Sequence, residues 1–511
     1  MKLNKMINTL SIAAVALLAT ACNDTDAQYT ITEVGAPEFT VSEPSVVDDV
    51  LLFGERTIRV AFDKKVGFAT KNASQITLNG VPVKKALVYG ADSIFTVVAD
   101  VNFDRVQTLH IPAGLIIGPQ HKAYDKDLDL TWEIKDLPDN EATQMTKKLG
   151  WGWNLGNHFD TSDVTWGYWD GATPTAALFQ KLASYGAKTV RIPATWTCHM
   201  DATNTIAQSY LDEVGDVVKM AIDAGLNVIL NSHHDSFETD LGYAASNPIE
   251  AKLDSTLIAT LWTQVAEYFR NYNDQLIFEV FNEIHAGDIW DTCTDAESEL
   301  LNKWNQYAVD AIRATKGNNA TRWIGVAHYA ANIDMTIDKL VLPTDAANRI
   351  MVGVHCYDPY NFCLAPESSG VDSWGHNANP LSSVAGMNED YILPQLYKLR
   401  KAYIEKGIPC YLGEYGCVWQ TTDGANAFRK YYLEYFCRSA WTAGIPMMVW
   451  DNTGNDVSKG GNEANYYINH NNGEFVADGA EIIPMMIRAC TDPDSNYWFY
   501  EIWDHSPNPA E

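Results

Sequence analysis

From residue 151 onward the chain alternates between two patterns of apolar positions. Short continuous apolar runs, the mark of strands buried on both faces, occur at 151–156, 189–193, 227–231, 276–281, 323–327, 350–354, 409–413 and 446–450. Between them, apolar residues recur every three or four positions, which predicts amphipathic helices at 174–185, 210–224, 255–271, 296–315, 391–406 and 425–442. Weaker helical stretches follow the fifth and eighth runs. Pro174 stands where a helix starts, and Gly186, Gly225, Gly407 and Gly444 stand where helices stop. Eight strand–helix units predict an α/β protein with a closed (β/α)8 TIM barrel over residues 146–505.

Upstream the period is different. Residues 56–66, 75–83, 94–100, 107–115 and 128–134 form short runs rich in Val, Ile, Phe and Thr, separated by turn signals such as Asn79-Gly80. They predict a small all-β immunoglobulin-like sandwich over 29–137. The polar stretch Pro138-Asp139-Asn140-Glu141 then reads as a linker. Of 16 tryptophans only Trp132 precedes residue 151. Aromatic faces are what stack on pyranose rings, so a sandwich this poor in tryptophan reads as a spacer rather than a glycan binder.

Charge narrows the partners. Lys+Arg number 36 against 65 Asp+Glu, a formal net charge of −29. Such a surface repels phosphate backbones, which argues against nucleic acid, and it disfavours anionic polysaccharides. A neutral substrate is the expectation. With 46% hydrophobic and 20% charged residues the chain is not of the disordered class.

The first 22 residues read as a secretory signal: Lys2 and Lys5, an apolar stretch at 11–19, then Ala19-Thr20-Ala21-Cys22. That ending resembles a bacterial lipobox, in which Cys22 becomes the lipidated N-terminus, although Ala19 stands where the pattern prefers Leu. Asn23-Asp24-Thr25-Asp26 resembles the export tag of Bacteroidetes surface lipoproteins. The resemblance implies a secreted outer-membrane lipoprotein, exposed at the cell surface and anchored to the membrane at Cys22. No other segment approaches the about 18 apolar residues of a spanning helix. The other eight cysteines form no C-x-x-C pair and read as small buried hydrophobes. No metal or cofactor is expected, and a monomer is.

In barrels of this kind the chemistry sits at the C-terminal ends of the strands. Those ends carry Asn154 and Asn157, Arg191, His233 and His234, Asn282 and Glu283, His328 and Tyr329, His355 and Tyr357, Glu414, and Trp450. Burying so many polar groups is costly unless they serve a function. Glu283 and Glu414 follow strands that lie opposite each other in the ring. Cleavage of a glycosidic bond with retention needs two carboxyl groups about 5–5.5 Å apart. Arg191 and Tyr357 could hold Glu414 ionised as the nucleophile. Asn282 could bond a sugar 2-hydroxyl, and His355 could tune Glu283 as acid/base.

Seven motifs occur in order: Trp151-Gly152-Trp153-Asn154-Leu155-Gly156-Asn157, Val190-Arg191-Ile192-Pro193, Ile229-Leu230-Asn231-Ser232-His233-His234-Asp235, Phe278-Glu279-Val280-Phe281-Asn282-Glu283, Val354-His355-Cys356-Tyr357, Gly413-Glu414-Tyr415-Gly416 and Val449-Trp450-Asp451-Asn452. Together they resemble glycoside hydrolase family 5, the cellulase-type retaining endoglycanases of the 4/7 superfamily. The resemblance implies that Glu283 is the acid/base and Glu414 the nucleophile. It also implies that Arg191, His233, Asn282, His355, Tyr357 and Trp450 occupy the other active-site positions. Ile284 departs from the pattern, which has proline there. The change touches the loop and leaves the chemistry intact.

Substrate contacts are sought among the aromatic residues of loops just after strand ends: Trp166, Trp169, Trp196, Trp290, Trp374 and Trp419. Asn157, His234, Tyr329 and Asn452 join them as substrate-binding candidates, and the long loop 358–387 is expected to form one wall of the cleft. A metal-dependent hydrolase would need His233-His234-Asp235 as ligands, but strand neighbours point to opposite faces. A non-catalytic carbohydrate-binding barrel would be expected to have lost one of the two carboxylates. The expected activity is an endo-β-1,4-glycanase on a plant cell-wall polysaccharide. β-1,4-Glucan, including mixed-linkage glucan and xyloglucan, is favoured, with xylan or mannan as the alternatives.

Overall fold

The computed structural model describes residues 33–44, 50–70, 72–88, 92–162, 167–235, 255–287, 289–420, 422–453, 464–494 and 496–508. The segment read as a signal, with Cys22, and the loop residue Trp166 lie outside them.

Ten strands come first: β1 (Phe39–Pro44), β2 (Gly54–Phe62), β3 (Gly67–Phe68), β4 (Thr77–Leu78), β5 (Val81–Pro82), β6 (Lys85–Val88), β7 (Ile94–Val101), β8 (Val106–Ile111), β9 (Ile116–Ile117) and β10 (Leu128–Glu133). They form two four-stranded sheets, ordered β1-β2-β7-β6 and β10-β8-β4-β5, and a small β3–β9 pair. β8 and β10 alternate buried and open residues, as strands with one covered face do. The run at 75–83 is two strands rather than one. Asn79 and Gly80 both take positive φ, 50° and 80°, which turns β4 back onto β5 as a tight hairpin. The chain divides into two compact units, and the one that holds the barrel also takes in Pro44–Ile58 and Val98–Thr108. Within that unit the Phe103 ring stacks on Phe53 at 3.9 Å and on Phe499 at 5.2 Å.

The stretch expected as a linker, 138–141, leads into a helix, α1 (Glu141–Leu149). Asn140 is its cap. The Asn140 side chain accepts from the Thr143 amide, and the Thr143 hydroxyl accepts from the Asn140 amide. α1 contributes Met145 and Leu149 to a buried cluster with Ile229, Ile277, Trp323, Met351, Tyr411 and Met448, filling the barrel from the side where its strands begin.

The barrel strands are β11 (Trp151–Asn154), β12 (Thr189–Ile192), β13 (Asn227–Asn231), β14 (Leu276–Glu279), β15 (Ile324–Val326), β16 (Ile350–Cys356), β17 (Cys410–Tyr415) and β18 (Met447–Val449). All neighbours pair in parallel, and β18 pairs with β11 to close the ring. The connecting helices are α2 (Ala176–Tyr185), α3 (Gln208–Asp223), α4 (Ser255–Tyr268), α5 (Asp295–Ala314), α6 (Ile333–Lys339), α7 (Glu389–Ala402) and α8 (Asp423–Ala443), followed by α9 (Gly479–Thr491) and α10 (Phe499–Asp504). Strand and helix order are those predicted from the hydrophobic pattern. All eight described cysteines are free thiols, six of them buried.

Candidate active site

The register of the barrel brings the polar strand ends together. β17 carries an irregularity: Leu412 pairs with Val354, but the next partner of His355 is Glu414 rather than Gly413. Gly413 is where the strand slips, and a Cβ there would stand 2.8 Å from Nε2 of His355. The slip turns the Glu414 carboxylate toward the mouth, which is the use bulges commonly have beside functional sites.

Arg191 is the hub. It is fully buried and every nitrogen is engaged. Nη1 donates to Oε1 of Glu414 at 2.6 Å and to Oδ1 of Asn154 at 3.1 Å. Nη2 donates to Oε1 of Glu279 at 2.6 Å and to Oδ1 of Asn282 at 2.7 Å. The second oxygen of Glu414 accepts from the Tyr357 hydroxyl at 3.0 Å. Glu414 is thereby aimed through both oxygens. Asn282, with its oxygen taken by Arg191, has its amide N–H groups left to donate.

Glu283 faces Glu414 across the opening. One ligand oxygen of each, together with a nitrogen of His355, lies within 4.8 Å of the other two. Nδ1 of His355 is 2.5 Å from Oε1 of Glu283. Burial alone would lower the His355 pKa, but Glu414 and Glu283 together raise it above the ordinary imidazole value. Burial would raise Glu283, and the charge and hydrogen bond of His355 bring it below the usual carboxylate value instead. The contact thus favours the proton on His355 and the charge on Glu283. Burial pushes His233 well below the imidazole range and His234 down to about 4, so both are neutral. His233 lies parallel to the Trp450 ring, 9° between planes at a 5.9 Å separation.

Glu279, Tyr411 and Asn231 complete the site together with Asn154, and of these only Asn154 stood among the strand-end residues read from the sequence. Glu279 is buried under Arg191 and accepts from the Tyr411 hydroxyl at 2.7 Å and from Asn231 at 3.0 Å. Arg191 outweighs the burial cost and holds Glu279 below the usual carboxylate range. A charged residue inside an otherwise apolar strand was the available signal for it.

His233, His234 and Asp235 diverge. His233 stacks on Trp450, His234 donates through Nδ1 to the Asp160 carbonyl, and Asp235 accepts from the Trp196 and Thr197 amides. They form no shared ligand set. Glu283, His355 and Glu414 do converge, but Arg191 and the His355 proton already face their oxygens, so a cation would have to displace one of them.

A model of the cellulase family (glycosyl hydrolase family 5) matches residues 148–456. The chain belongs to glycoside hydrolase family 5. It is 31% identical over 342 residues to endoglucanase A of Clostridium longisporum, covering 64% of this chain and 62% of that protein, less than two thirds of the relative's length. Among solved structures it is similar to a native Bacteroidetes-affiliated GH5 cellulase linked with a polysaccharide utilization locus. The TM-score there is 0.65 at 35% identity, over 72% of this chain and 98% of the other. It is also similar to a GH5-4 broad specificity endoglucanase from Bacteroides salanitronis, with a TM-score of 0.62 at 36% identity over 70% and 97%.

Several aromatic residues expected to line this family 5 cleft do not. Trp196 is fully buried, donates to the Asn231 carbonyl at 2.8 Å and packs on Tyr210, so it braces the barrel instead of meeting sugar. Trp374 is 1% exposed among Tyr431, Tyr432 and Tyr435 of α8 and pins the 358–387 loop there through its bond to the Met387 carbonyl. Tyr329 is buried too. Its hydroxyl accepts from the Ala286 amide and donates to the Ile289 carbonyl, tying down the loop after Glu283. Asn452 is buried, and its side-chain oxygen is taken by the Asn465 amide, which makes it a brace of the last loop. Trp290 is 43% exposed and lies on the His285 ring at 3.7 Å. Trp169, Trp419, Asn157 and His234 are half-buried, with Trp169 beside His234 and Arg429 packed against the Trp419 ring.

Proposed function

We propose that this family 5 chain is a retaining endo-β-1,4-glycanase, with Glu414 as nucleophile and Glu283 as acid/base. The observation that carries the reading is the approach of the two carboxylates within 4.8 Å. An inverting enzyme keeps its pair roughly 6.5–9.5 Å apart to admit a water, whereas a double displacement needs the shorter span. In the first step Glu414 attacks the anomeric carbon while Glu283 delivers the proton shared with His355 to the departing glycosidic oxygen. In the second, Glu283 takes a proton from water, and that water displaces Glu414 and regenerates both groups. Arg191 and Tyr357 aim Glu414 through their hydrogen bonds to its two oxygens. The Asn282 amide is placed for the 2-hydroxyl, and Trp450, backed by His233, offers a ring face to the sugar beside the nucleophile.

β-Glucan is the proposed substrate class. The acidic surface suits a neutral chain, and the printed functions of the relatives, endoglucanase and broad specificity endoglucanase, support it. We extend the proposal to location: the chain is exported and lipid-anchored at Cys22, with the small sandwich as spacer. Reducing-end release from cellulose derivatives, mixed-linkage glucan, xyloglucan, xylan and mannan tests the substrate, and xylan turnover well above glucan would reverse the ranking. NMR of the first-formed anomer tests retention, and an inverted product overturns it.

A further inference from the structure

At the residue after Trp450 begins a buried chain of ionisable groups that takes no part in the chemistry above. Asp451, next to Trp450, is fully buried. Its Oδ2 accepts from Trp153 Nε1 at 3.0 Å and from the amides of Tyr467 and Ile468. Its carbonyl accepts from the Gly156 amide at 3.0 Å. Its Oδ1 faces Nε2 of His470 at 3.3 Å. The other nitrogen of His470 lies 2.9 Å from Oδ2 of Asp170, and Oδ1 of Asp170 meets Nδ1 of His158 at 3.0 Å. The Trp153 ring stands edge-on to His470 at 4.9 Å. None of Asp170, Asp451 and His470 is exposed to solvent.

A neutral imidazole has one N–H and a carboxylate has none. With a carboxylate oxygen at each ring nitrogen, only the imidazolium satisfies both contacts. Asp170 belongs to the loop after β11, Asp451 to the end of β18, and His470 to the segment that returns to α9. One cation therefore ties three loops around the foot of Trp450. The ring is confined on its other sides by His233 and by Gly156, where a Cβ would stand 2.8 Å from the indole.

We infer that His470 is a positioning residue: clamped as an imidazolium between Asp170 and Asp451, it holds the Trp450 ring in the orientation the sugar meets. The role rests on the proposed reading of Trp450 as a sugar platform, and it is separable from that reading. The two flanking carboxylates outweigh burial and raise His470 to about 9. Asp170, which burial alone would raise, is brought well below its ordinary value by His158 and His470. The clamp is therefore closed at neutral pH and opens in alkali. Asp170, Asp451, the more distant His158 and the edge of Trp153 are the groups that face His470.

The test is a cycle on the full chain with His470→Gln, Trp450→Ala and the double variant. On soluble mixed-linkage glucan at neutral pH, His470→Gln should lower kcat/KM by up to about 10²-fold, the scale of a 1 Å misplacement, and Trp450→Ala by more. The double variant should match Trp450→Ala, because His470 acts only through that ring. Near-ultraviolet circular dichroism supplies a readout independent of turnover. The tryptophan band lost in Trp450→Ala should also be lost in His470→Gln, and in the wild type it should fade as pH passes about 9. Losses that add in the double variant, or a His470→Gln protein with the wild-type band at every pH, overturn the inference. If His470→Gln does not fold, Asp170→Asn carries the same expectations. An inert wild type with the expected spectra would sink the glucanase reading alone.

Discussion

Nδ1 of His355 lies 2.5 Å from Oε1 of Glu283 and 3.8 Å from Oε2 of Glu414, so one ring atom addresses both carboxylates across the barrel mouth. Because the proton rests between His355 and Glu283, the alkaline limb of kcat/KM belongs to the pair. His355 is raised from 6.5, so the proton is held below that value and lost only as pH rises above it. In His355→Gln the proton depends on a carboxylic acid alone, and the limb should move to lower pH. Initial rates across pH check this, and an unmoved limb would remove His355 from the proton's storage.

The two carboxylates should fail differently. Glu414→Ala should abolish turnover of every substrate, because no glycosyl-enzyme can form. Glu283→Ala should slow polysaccharide cleavage by about 10²–10⁴-fold while activated aryl glycosides still load the enzyme. Azide needs no base, so it should restore turnover in Glu283→Ala and give the β-glycosyl azide. In Glu414→Ala it should give the α-azide by direct displacement. NMR of the products assigns the roles, and swapped anomers would swap them.

Glu279 shares Arg191 with Glu414, the proposed nucleophile. Breaking a buried ion pair from one side costs about 3–5 kcal/mol, so Glu279→Gln should unfold at markedly lower denaturant. Arg191 would then lean wholly on Glu414 and damp its nucleophilicity, lowering kcat with KM little changed. A denaturation midpoint equal to wild type would show that Glu414, Asn154 and Asn282 hold Arg191 unaided.

Exposure separates the tryptophans. Trp290→Ala should raise KM for long glucans several-fold and leave the unfolding temperature within a degree or two, since surface truncations cost little. Trp196→Ala empties a core site and should cost about 3–5 kcal/mol. Kinetics and calorimetry on the two variants would expose any exchange of these roles.

The anchor is tested in whole cells. Cys22→Ala should release the enzyme from the membrane fraction into the medium, with activity on soluble glucan retained. A variant that stays bound would rule out lipid at Cys22.

The eight-fold alternation, the strand-end polar residues and the order of the seven motifs are local properties of the chain, so sequence alone determined them. A strand buried on both faces must be apolar throughout, and a polar residue at its end stands out against that run. Helix α1 was hidden because its nine residues carry too few apolar positions to show a period until Met145 and Leu149 meet the barrel interior. The tryptophans show the limit most plainly. Trp196, Trp374 and Trp290 all follow strand ends, yet two are core and one is open, because burial depends on which distant residues arrive beside a ring. The same holds for charge. That Arg191 divides itself between Glu279 and Glu414, and that His470 sits between two aspartates, required residues 88, 223 and 300 positions apart to converge. Only closure of the barrel brings them within hydrogen-bond reach.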